Sequence, residues 1–253
     1  MTGRRSRSFD KIVDRYESNR GGEARGTRIA PDLAELLHHR SSLLEVGVGS
    51  GVVAKPLQEL GFRVFGIDIA QQMLARARDR IGNSVVRGDA MNLPFSTGSI
   101  EQIVCAWMLH TVEDVGAVMS EIARVLGPEG RCLVVEVKPS PGNEDSGATV
   151  IRDLQIELGL APSRRDVRTY ARTADEAGLS VRQMLTSGPH RYETSLADTA
   201  AEIETRFSSW MWDVPDESWT RATAPVLERL RERPDLELPF SSAGYQEILV
   251  LSP

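Results

Sequence analysis

The sequence predicts an α/β fold, in which a doubly wound, mainly parallel seven-stranded sheet carries helices on both faces. Apolar strand-like runs alternate with helical patterns of about ten residues or more, which is typical of βαβ units with right-handed crossovers. The runs are nearly continuous in apolar residues, as expected of strands that are covered on both faces. A glycine-rich segment, 45–51, follows the first strand at the point where such sheets turn into a helix.

The regular part of this pattern covers residues 42–138. Strands are predicted at 42–47, 62–68, 84–90, 100–107 and 131–138, and helices at 52–60, 70–82 and 114–127. Two further strand patterns, 179–185 and 245–252, complete seven strands, so the fold is expected to be Rossmann-like.

Two segments stand outside the alternation. Residues 1–40 are predicted to form an N-terminal helical cap, with a short helix around Phe9–Tyr16 and a second helix that begins at Pro31, because proline suits a first helical position. Residues 41–253 form the main domain. A helical insert at about 190–240 lies before the last strand, and a connection of that length is typical of a lid.

Composition excludes several classes of protein. The 253 residues are 41% hydrophobic and carry a formal net charge of −6, which argues against nucleic acid as the partner. Apolar runs of the ~20 residues needed to span a bilayer are absent from the sequence. Cys105 and Cys132 lie in apolar strand patterns without zinc-ligand spacing and are predicted to be buried free thiols. These features favour a soluble, cytoplasmic protein without a metal.

The glycine-rich segment reads Glu-Val-Gly-Val-Gly-Ser-Gly from Glu45 to Gly51. Glycines at a strand-to-helix turn let the backbone approach a ligand, and the next helix presents its free N–H groups. Asp68 ends the following strand, where a carboxylate can accept hydrogen bonds from ribose hydroxyls. The segment therefore indicates a site for a nucleoside cofactor.

The spacing of the glycines separates two classes of cofactor. A dinucleotide fingerprint, G-x-G-x-x-G, would need glycine at position 52, where this chain has Val52. A nicotinamide-dependent oxidoreductase is therefore disfavoured.

Four ordered landmarks carry a family resemblance, namely EVGVGSG, GIDIA, RGDAMNLPF and LGPEGRCLVVE. With them, residues 42–137 resemble the class I S-adenosylmethionine-dependent methyltransferases of the small-molecule type 11 group, which includes the ubiquinone/menaquinone-type enzymes. The resemblance implies S-adenosylmethionine as cofactor and S-adenosylhomocysteine as product. One departure is Ile100-Glu101, where the family usually opens the fourth strand with Phe-Asp.

The resemblance also implies roles for individual residues. At the methionine end of the cofactor it places Glu45, Gly47, Gly49, Gly51, Ala106 and Trp107. At the nucleoside end it places Asp68 on the ribose, Ile69 on the adenine ring, and Asp89 with Ala90 at the adenine amino group. Tyr16 and Arg20 stand where the group often has residues that touch the cofactor, although a solvated helix face is an equal alternative for them.

Three side chains are candidates for contacting the methyl acceptor or for taking a proton from it. His110, just after the fourth strand, could take a proton from an acceptor hydroxyl or amine, or could simply pack on the sheet edge. Arg206 and Trp210 in the insert are candidate substrate contacts, while the other aromatic residues there suit a lid core.

The function expected from these observations is methyl transfer to a small organic acceptor, with O-, N- and C-methylation all left open. A non-catalytic module that binds the same cofactor is the alternative. Methylation of nucleic-acid amino groups is disfavoured, because CAWM stands where such enzymes carry an Asn/Asp-Pro-Pro-aromatic motif. The sequence sets no oligomeric state and leaves a homo-oligomer open.

Overall fold

The fold is taken from a computed structural model of the chain. It describes Phe9 and residues 22–38, 41–138, 147–160 and 167–253. The predicted short helix at Phe9–Tyr16 lies, apart from Phe9, outside the described residues.

One seven-stranded sheet has the order β3-β2-β1-β4-β5-β7-β6. Its strands are β1 (Ser42–Val46), β2 (Arg63–Asp68), β3 (Val85–Arg87), β4 (Ile100–Ala106), β5 (Leu126–Lys138), β6 (Ser180–Thr194) and β7 (Phe240–Ser252). The first five strands pair in parallel, and β7 pairs antiparallel with β5. The predicted α/β fold with a mainly parallel seven-stranded sheet is confirmed. The order reverses direction between β1 and β4, which makes the carboxyl ends of these strands the expected place for a ligand.

Eight α-helices lie in the described part of the chain. They are α1 (Gly22–Leu36), α2 (Ala54–Glu59), α3 (Gln71–Ile81), α4 (Val115–Val125), α5 (Gly147–Glu157), α6 (Val167–Glu176), α7 (Leu196–Glu204) and α8 (Asp216–Arg231). Helices α2, α3 and α4 match their predictions within two residues at each end. Helices α5 and α6 had no counterpart in the sequence prediction.

The chain forms two compact units, the first made of residues 1–138, 165–188 and 245–253, and the second of 139–164 and 189–244. In the first unit, alternate strand residues feed two apolar clusters. Cys105, Cys132 and Val134 belong to one cluster, and Val104 and Leu133 to the other. Both cysteines are free and buried, as predicted. Burial on both faces explains why these strands read as continuous apolar runs.

Helix α1 corrects the prediction for the N-terminal region. The helix begins at Gly22, and Pro31 lies inside it rather than at its first position. Burial of Ile29 and Leu33, each no more than 1% exposed, favours the longer helix and outweighs the helix bond that proline removes. A Cβ added at Gly26 would lie 2.5 Å from the carbonyl carbon of Val52, so α1 packs directly against the residue that follows the glycine-rich segment.

The second unit is helical and has its own apolar core. Leu154 of α5, Ile203 of α7 and Val226 of α8 are buried together. Ser195 begins α7 with a capping box, in which its hydroxyl accepts from the Asp198 N–H and Asp198 accepts from the Ser195 N–H. Besides the insert predicted at about 190–240, this unit includes residues 139–164. In the described ranges, helices of membrane-spanning length and apolarity are absent.

A charge pair fixes the loop that follows β3 in the first unit. Arg124 of α4 donates to the carbonyl oxygens of Leu93 and Phe95, at 2.9 and 2.8 Å. Glu121 accepts from the Leu93 N–H at 2.7 Å and pairs with Arg124 at 2.7 Å. Mainly because Arg124 donates to it, the pKa of Glu121 is held below its ordinary value.

This pair predicts a pH-dependent contribution to stability. Because the folded-state pKa of Glu121 is lowered, its contribution is complete above the ordinary pKa and is lost as pH falls through the folded-state value. We expect Glu121→Gln to lower the free energy of unfolding by about 1–3 kcal/mol near neutral pH, and by less in acid. Denaturant unfolding at both pH values tests this, with Glu129→Gln at an exposed position of β5 as control. An equal loss at both pH values would contradict it.

Candidate active site

A cleft with about 610 Å³ of empty space, partly open to solvent, lies at the carboxyl ends of β1, β2 and β4. All its lining residues belong to the first unit. They include Phe9, Val46, Gly47, Gly49, Asp68, Ile69, Met73, Gly88, Ala90, Ala106, Trp107, Met108, Thr111 and Val112. The cleft therefore lies at the switch point that the strand order defines.

Asp68 links the glycine-rich segment to the second strand. Its Oδ2 accepts from the Gly49 N–H and its Oδ1 from the Ala70 N–H, both at 2.8 Å. Each oxygen of a carboxylate has two acceptor sites and can accept from more than one donor. A carboxylate fixed in this way at the cleft can receive a pair of hydroxyl groups.

The glycine-rich turn depends on backbone conformations that residues other than glycine rarely adopt. Gly47 has φ +73°, and a Cβ there would lie 2.7 Å from Met108 Cβ. Gly49 has φ +55°, and a Cβ there would meet nothing within 4 Å. Gly49 thus turns the chain beside open space, where a ligand can approach the backbone.

Glu45 provides a buried acceptor beneath this turn. Its side chain is 2% exposed, and its Oε2 has no hydrogen-bond partner in the described structure. Burial raises the pKa of Glu45 well above its ordinary value, and the nearby Asp68 charge raises it further. A cationic group placed there would supply the missing partner.

Beyond Asp68 the cleft is apolar. Ile69, Met73 and Ala90 line it, and Phe9 packs against Ala70 and Met73. This surface suits a planar aromatic ring. Asp89 is not among the lining residues; its Oδ1 accepts from the Met91 N–H at 2.9 Å.

Trp107 forms the other end of the cleft, just after β4. It has φ 54°, an uncommon conformation for a bulky residue. Its indole N–H donates to Gln246 Oε1 on β7 at 2.7 Å, and the Arg25 guanidinium lies 3.5 Å from the ring centroid. Residues of two other elements, Gln246 of β7 and Arg25 of α1, thus hold this strained residue, a pattern found at functional sites.

His110 lies in the short 3-10 turn Leu109–Thr111 that follows Trp107. Its Nδ1 is 3.3 Å from both carboxylate oxygens of Glu136 on β5. His110 itself is not among the residues that line the cleft, although Met108 and Thr111 beside it are.

The cleft brings together seven of the residues proposed from the sequence, namely Gly47, Gly49, Asp68, Ile69, Ala90, Ala106 and Trp107. Glu45, Gly51 and Asp89 lie beside these in the chain but do not line the cleft. Tyr16 and Arg20 lie outside the described residues. The roles given to all these residues stay predictions.

The two candidate substrate contacts belong to the second unit. Arg206 has φ 47°; its guanidinium donates to the Val214 carbonyl oxygen at 3.2 Å and pairs with Asp216 at 3.0 Å. It also lies 5.0 Å from the Trp219 ring, which Trp210 meets edge-on at 6.0 Å. These contacts already engage Arg206 within its own unit.

Sequence reasoning missed several residues of the site. Arg25 and Gln246 meet at Trp107 from distant parts of the chain, and a local pattern carries no signal for them. For Glu136 the sequence did carry a signal. A carboxylate in the apolar run RCLVVEVK is expected to be buried, and a buried carboxylate needs a partner or must be protonated. Among the described residues, clusters of His, Cys, Asp and Glu able to hold a metal are absent.

Comparison with known proteins finds a matching family for part of the chain. Residues 44–134 match the family described as "Methyltransferase domain". The chain is 35% identical over 145 residues to demethylmenaquinone methyltransferase of Thermus thermophilus, covering 53% of this chain and 66% of that protein. Across the first curated relatives, the chain spans 39% to 66% of their length.

Solved structures share the fold. The [4+2]-cyclase SpnF superposes with a TM-score of 0.60 at 18% identity, covering 99% of this chain and 98% of that one. A Haemonchus contortus phosphoethanolamine N-methyltransferase 2, solved with phosphomonomethylethanolamine and S-adenosylhomocysteine, superposes with a TM-score of 0.56 at 16% identity, covering 96% and 57%.

Fold and cleft together define a Rossmann-like domain that binds a nucleoside cofactor. The glycine spacing and the matched family then narrow this class. Residues 44–134 match the methyltransferase domain, and the chain resembles the class I S-adenosylmethionine-dependent methyltransferases of type 11. S-adenosylmethionine is the cofactor of the family.

The residues present fit that cofactor in four respects. Asp68 offers carboxylate oxygens to a ribose diol, and the apolar surface at Ile69 suits an adenine ring. Gly49 leaves open space beside the backbone. The unpartnered Oε2 of Glu45 suits the amino group of a methionine moiety.

Proposed function

We propose that this protein is an S-adenosylmethionine-dependent methyltransferase that acts on a small organic acceptor. One observation carries the proposal: the Gly49 N–H is bound to Asp68, so the glycine-rich turn and the ribose-type carboxylate form one cleft with the end of β4. When bound, the cofactor supplies an electrophilic methyl group, so catalysis depends chiefly on orientation.

The protein's own residues have three tasks in this proposal. Asp68 and the glycine-rich turn bind the nucleoside and methionine parts. Trp107, fixed by Gln246 and Arg25, gives the methyl end a rigid wall that excludes water. His110 is the proposed group that holds or moves a proton of the acceptor.

Proteins with the alternative functions would differ in the cofactor that they bind and in whether they catalyse a reaction. A non-catalytic module would bind the cofactor without transferring methyl groups, and one protein of this fold is named as a cyclase, so fold alone does not set the reaction. A nicotinamide-dependent enzyme would bind NAD instead.

Calorimetric titration with S-adenosylmethionine, S-adenosylhomocysteine and NAD tests the proposal. We expect both sulfur compounds to bind with micromolar dissociation constants and NAD to give no heat of binding. Selective binding of NAD, or silence from all three with folded protein, would refute it. Binding without formation of S-adenosylhomocysteine in a broad acceptor screen would favour the non-catalytic module.

The net charge and the cysteines support proposals for the class of acceptor and for the compartment. The acidic net charge of −6 supports a small-molecule acceptor rather than nucleic acid. The free cysteines, Cys105 and Cys132, support a reducing compartment, for which we propose the cytoplasm.

A further inference from the structure

Glu136 is a carboxylate inside an apolar strand. The four residues before it on β5, Cys132 to Val135, are fully buried, and Glu136 itself is 6% exposed. Val135 pairs with Ala106, the last residue of β4, so Glu136 lies one residue further towards the edge of the sheet that carries the cleft. A buried carboxylate is costly unless it has partners.

Two side chains from other elements meet this carboxylate. His110 Nδ1 lies 3.3 Å from both Oε1 and Oε2, and the Tyr170 hydroxyl of α6 lies 3.5 Å from Oε1. Tyr170 is fully buried, and the His110 side chain keeps 25% of its surface exposed. A buried charged pair is on average a poor way to stabilise a fold, so this arrangement suggests a functional reason.

The geometry sets the chemistry of the imidazole. Because Nδ1 faces the carboxylate, its proton is held there, and Nε2 is the nitrogen that can accept another proton. Glu136 then stabilises the imidazolium that results. Met108, just before this turn, and Thr111, its last residue, line the cleft.

Classes of methyl acceptor differ in whether they need a general base. A carboxylate is already ionised at neutral pH, and a neutral amine attacks with its own lone pair. A hydroxyl is a weak nucleophile until a base removes its proton as it reacts. A histidine held by a buried carboxylate is therefore matched to a hydroxyl acceptor.

Resting on the proposed methyltransferase function, we propose that His110, positioned by Glu136 and Tyr170, deprotonates a hydroxyl acceptor, so that the reaction is O-methylation of an alcohol or phenol. The acceptor O–H bond breaks and its proton passes to His110 Nε2. The acceptor oxygen forms the new O–CH₃ bond as the S–CH₃ bond breaks, and that electron pair stays on sulfur. Release of the proton to solvent restores the imidazole.

The titratable groups that face Glu136 come from four elements of the described structure. They are His110 after β4, Tyr170 on α6, and the Cys105 thiol on β4, whose pKa is raised mainly by its hydrogen bond with Cys132 and in part by Glu136. Glu247 of β7 stands opposite Glu136 in the strand register.

A series of acceptors with graded acidity tests the proposal. With catechol as acceptor, we expect His110→Gln to lower kcat by about 10²–10⁴-fold, with the dissociation constant of S-adenosylmethionine unchanged. With nitrocatechol, assayed at a pH where its hydroxyl is already ionised, the wild-type to variant ratio should fall towards one. A purely structural effect would lower both rates equally. His38→Gln on an exposed residue is the matched control.

The positioning residues are tested in the same series. We expect Glu136→Gln to lower kcat with catechol by up to about 10²-fold and Tyr170→Phe by less, each with little change in KM. Both losses should shrink with nitrocatechol. Glu101→Gln, an exposed carboxylate on β4, is the matched control.

Three results would overturn the proposal. The first is methylation of phosphoethanolamine or benzoate with none of the hydroxyl compounds. The second is an equal loss in His110→Gln across the acidity series. The third needs no acceptor: nitrogen-15 NMR of the histidines, assigned with His110→Gln, should find the proton on Nδ1 of neutral His110, and a proton on Nε2 would contradict the assigned role. Failure of the methyltransferase function itself would instead appear as absent cofactor binding in calorimetry.

Discussion

Replacing Asp68 by alanine is expected to weaken S-adenosylmethionine binding by at least about 100-fold, equivalent to about 2.7 kcal/mol. The change removes the proposed ribose acceptor. It also removes the bonds from the Gly49 and Ala70 N–H groups, so the glycine-rich turn loses the side chain that positions it. Asp68→Asn should fall between wild type and alanine, because its amide keeps one oxygen as an acceptor and replaces the other with a donor.

Calorimetry on the three proteins measures this effect, and Asp79→Ala on the exposed side of α3 is the matched control. Thermal unfolding without ligand separates binding from folding. Loss of two hydrogen bonds should lower Tm by several degrees while leaving a cooperative transition. Wild-type affinity in Asp68→Ala would contradict the proposed site.

Replacing Gly26 by alanine is expected to have the largest effect on the first unit. A Cβ at Gly26 would overlap the Val52 carbonyl group, which is backbone and cannot rotate away. Helix α1 must therefore move away from Val52, which follows the glycine-rich segment of the proposed cofactor site. We expect a loss of about 1–3 kcal/mol in unfolding free energy together with weaker cofactor binding.

Arg80 explains why a shift of α1 in Gly26→Ala should also weaken cofactor binding. It donates to the Ser50 carbonyl oxygen at 2.7 Å and to Glu23 of α1 at 3.2 Å, so a shift of α1 disturbs the glycine-rich turn through a second contact. Denaturant unfolding and calorimetry on Gly26→Ala measure both effects. Thr27→Ala, at the next and exposed position of α1, is the control. Unchanged stability and affinity would show that α1 does not support the turn.

Local patterns predicted most of the first unit. Strands β1 to β5 and helices α2 to α4 carry burial and periodicity in their own sequence, and the glycines at 47 and 49 stand where the turn needs them. Helix α1 was misplaced because Pro31 is a strong local signal, whereas the contact of Gly26 with Val52 is a long-range one.

The same reason explains what was missed at the site. Trp107 meets Gln246 across 139 positions, and Glu136 meets Tyr170 across 34, so neither pair has a local signature. The helical unit combines residues 139–164 with 189–244, and its core depends on α5 packing with helices much later in the chain. Sequence reasoning found the insert but not this partner.

A crystal structure of the protein with S-adenosylhomocysteine tests the central claim most directly. We expect the ribose hydroxyls on Asp68, the adenine against Ile69 and Ala90, and the sulfur end towards Trp107. A nucleoside bound elsewhere, for example in the groove between α5 and α8 lined by Leu154 and Leu230, would contradict the account. So would a cleft that stays empty at ligand concentrations that saturate binding in calorimetry.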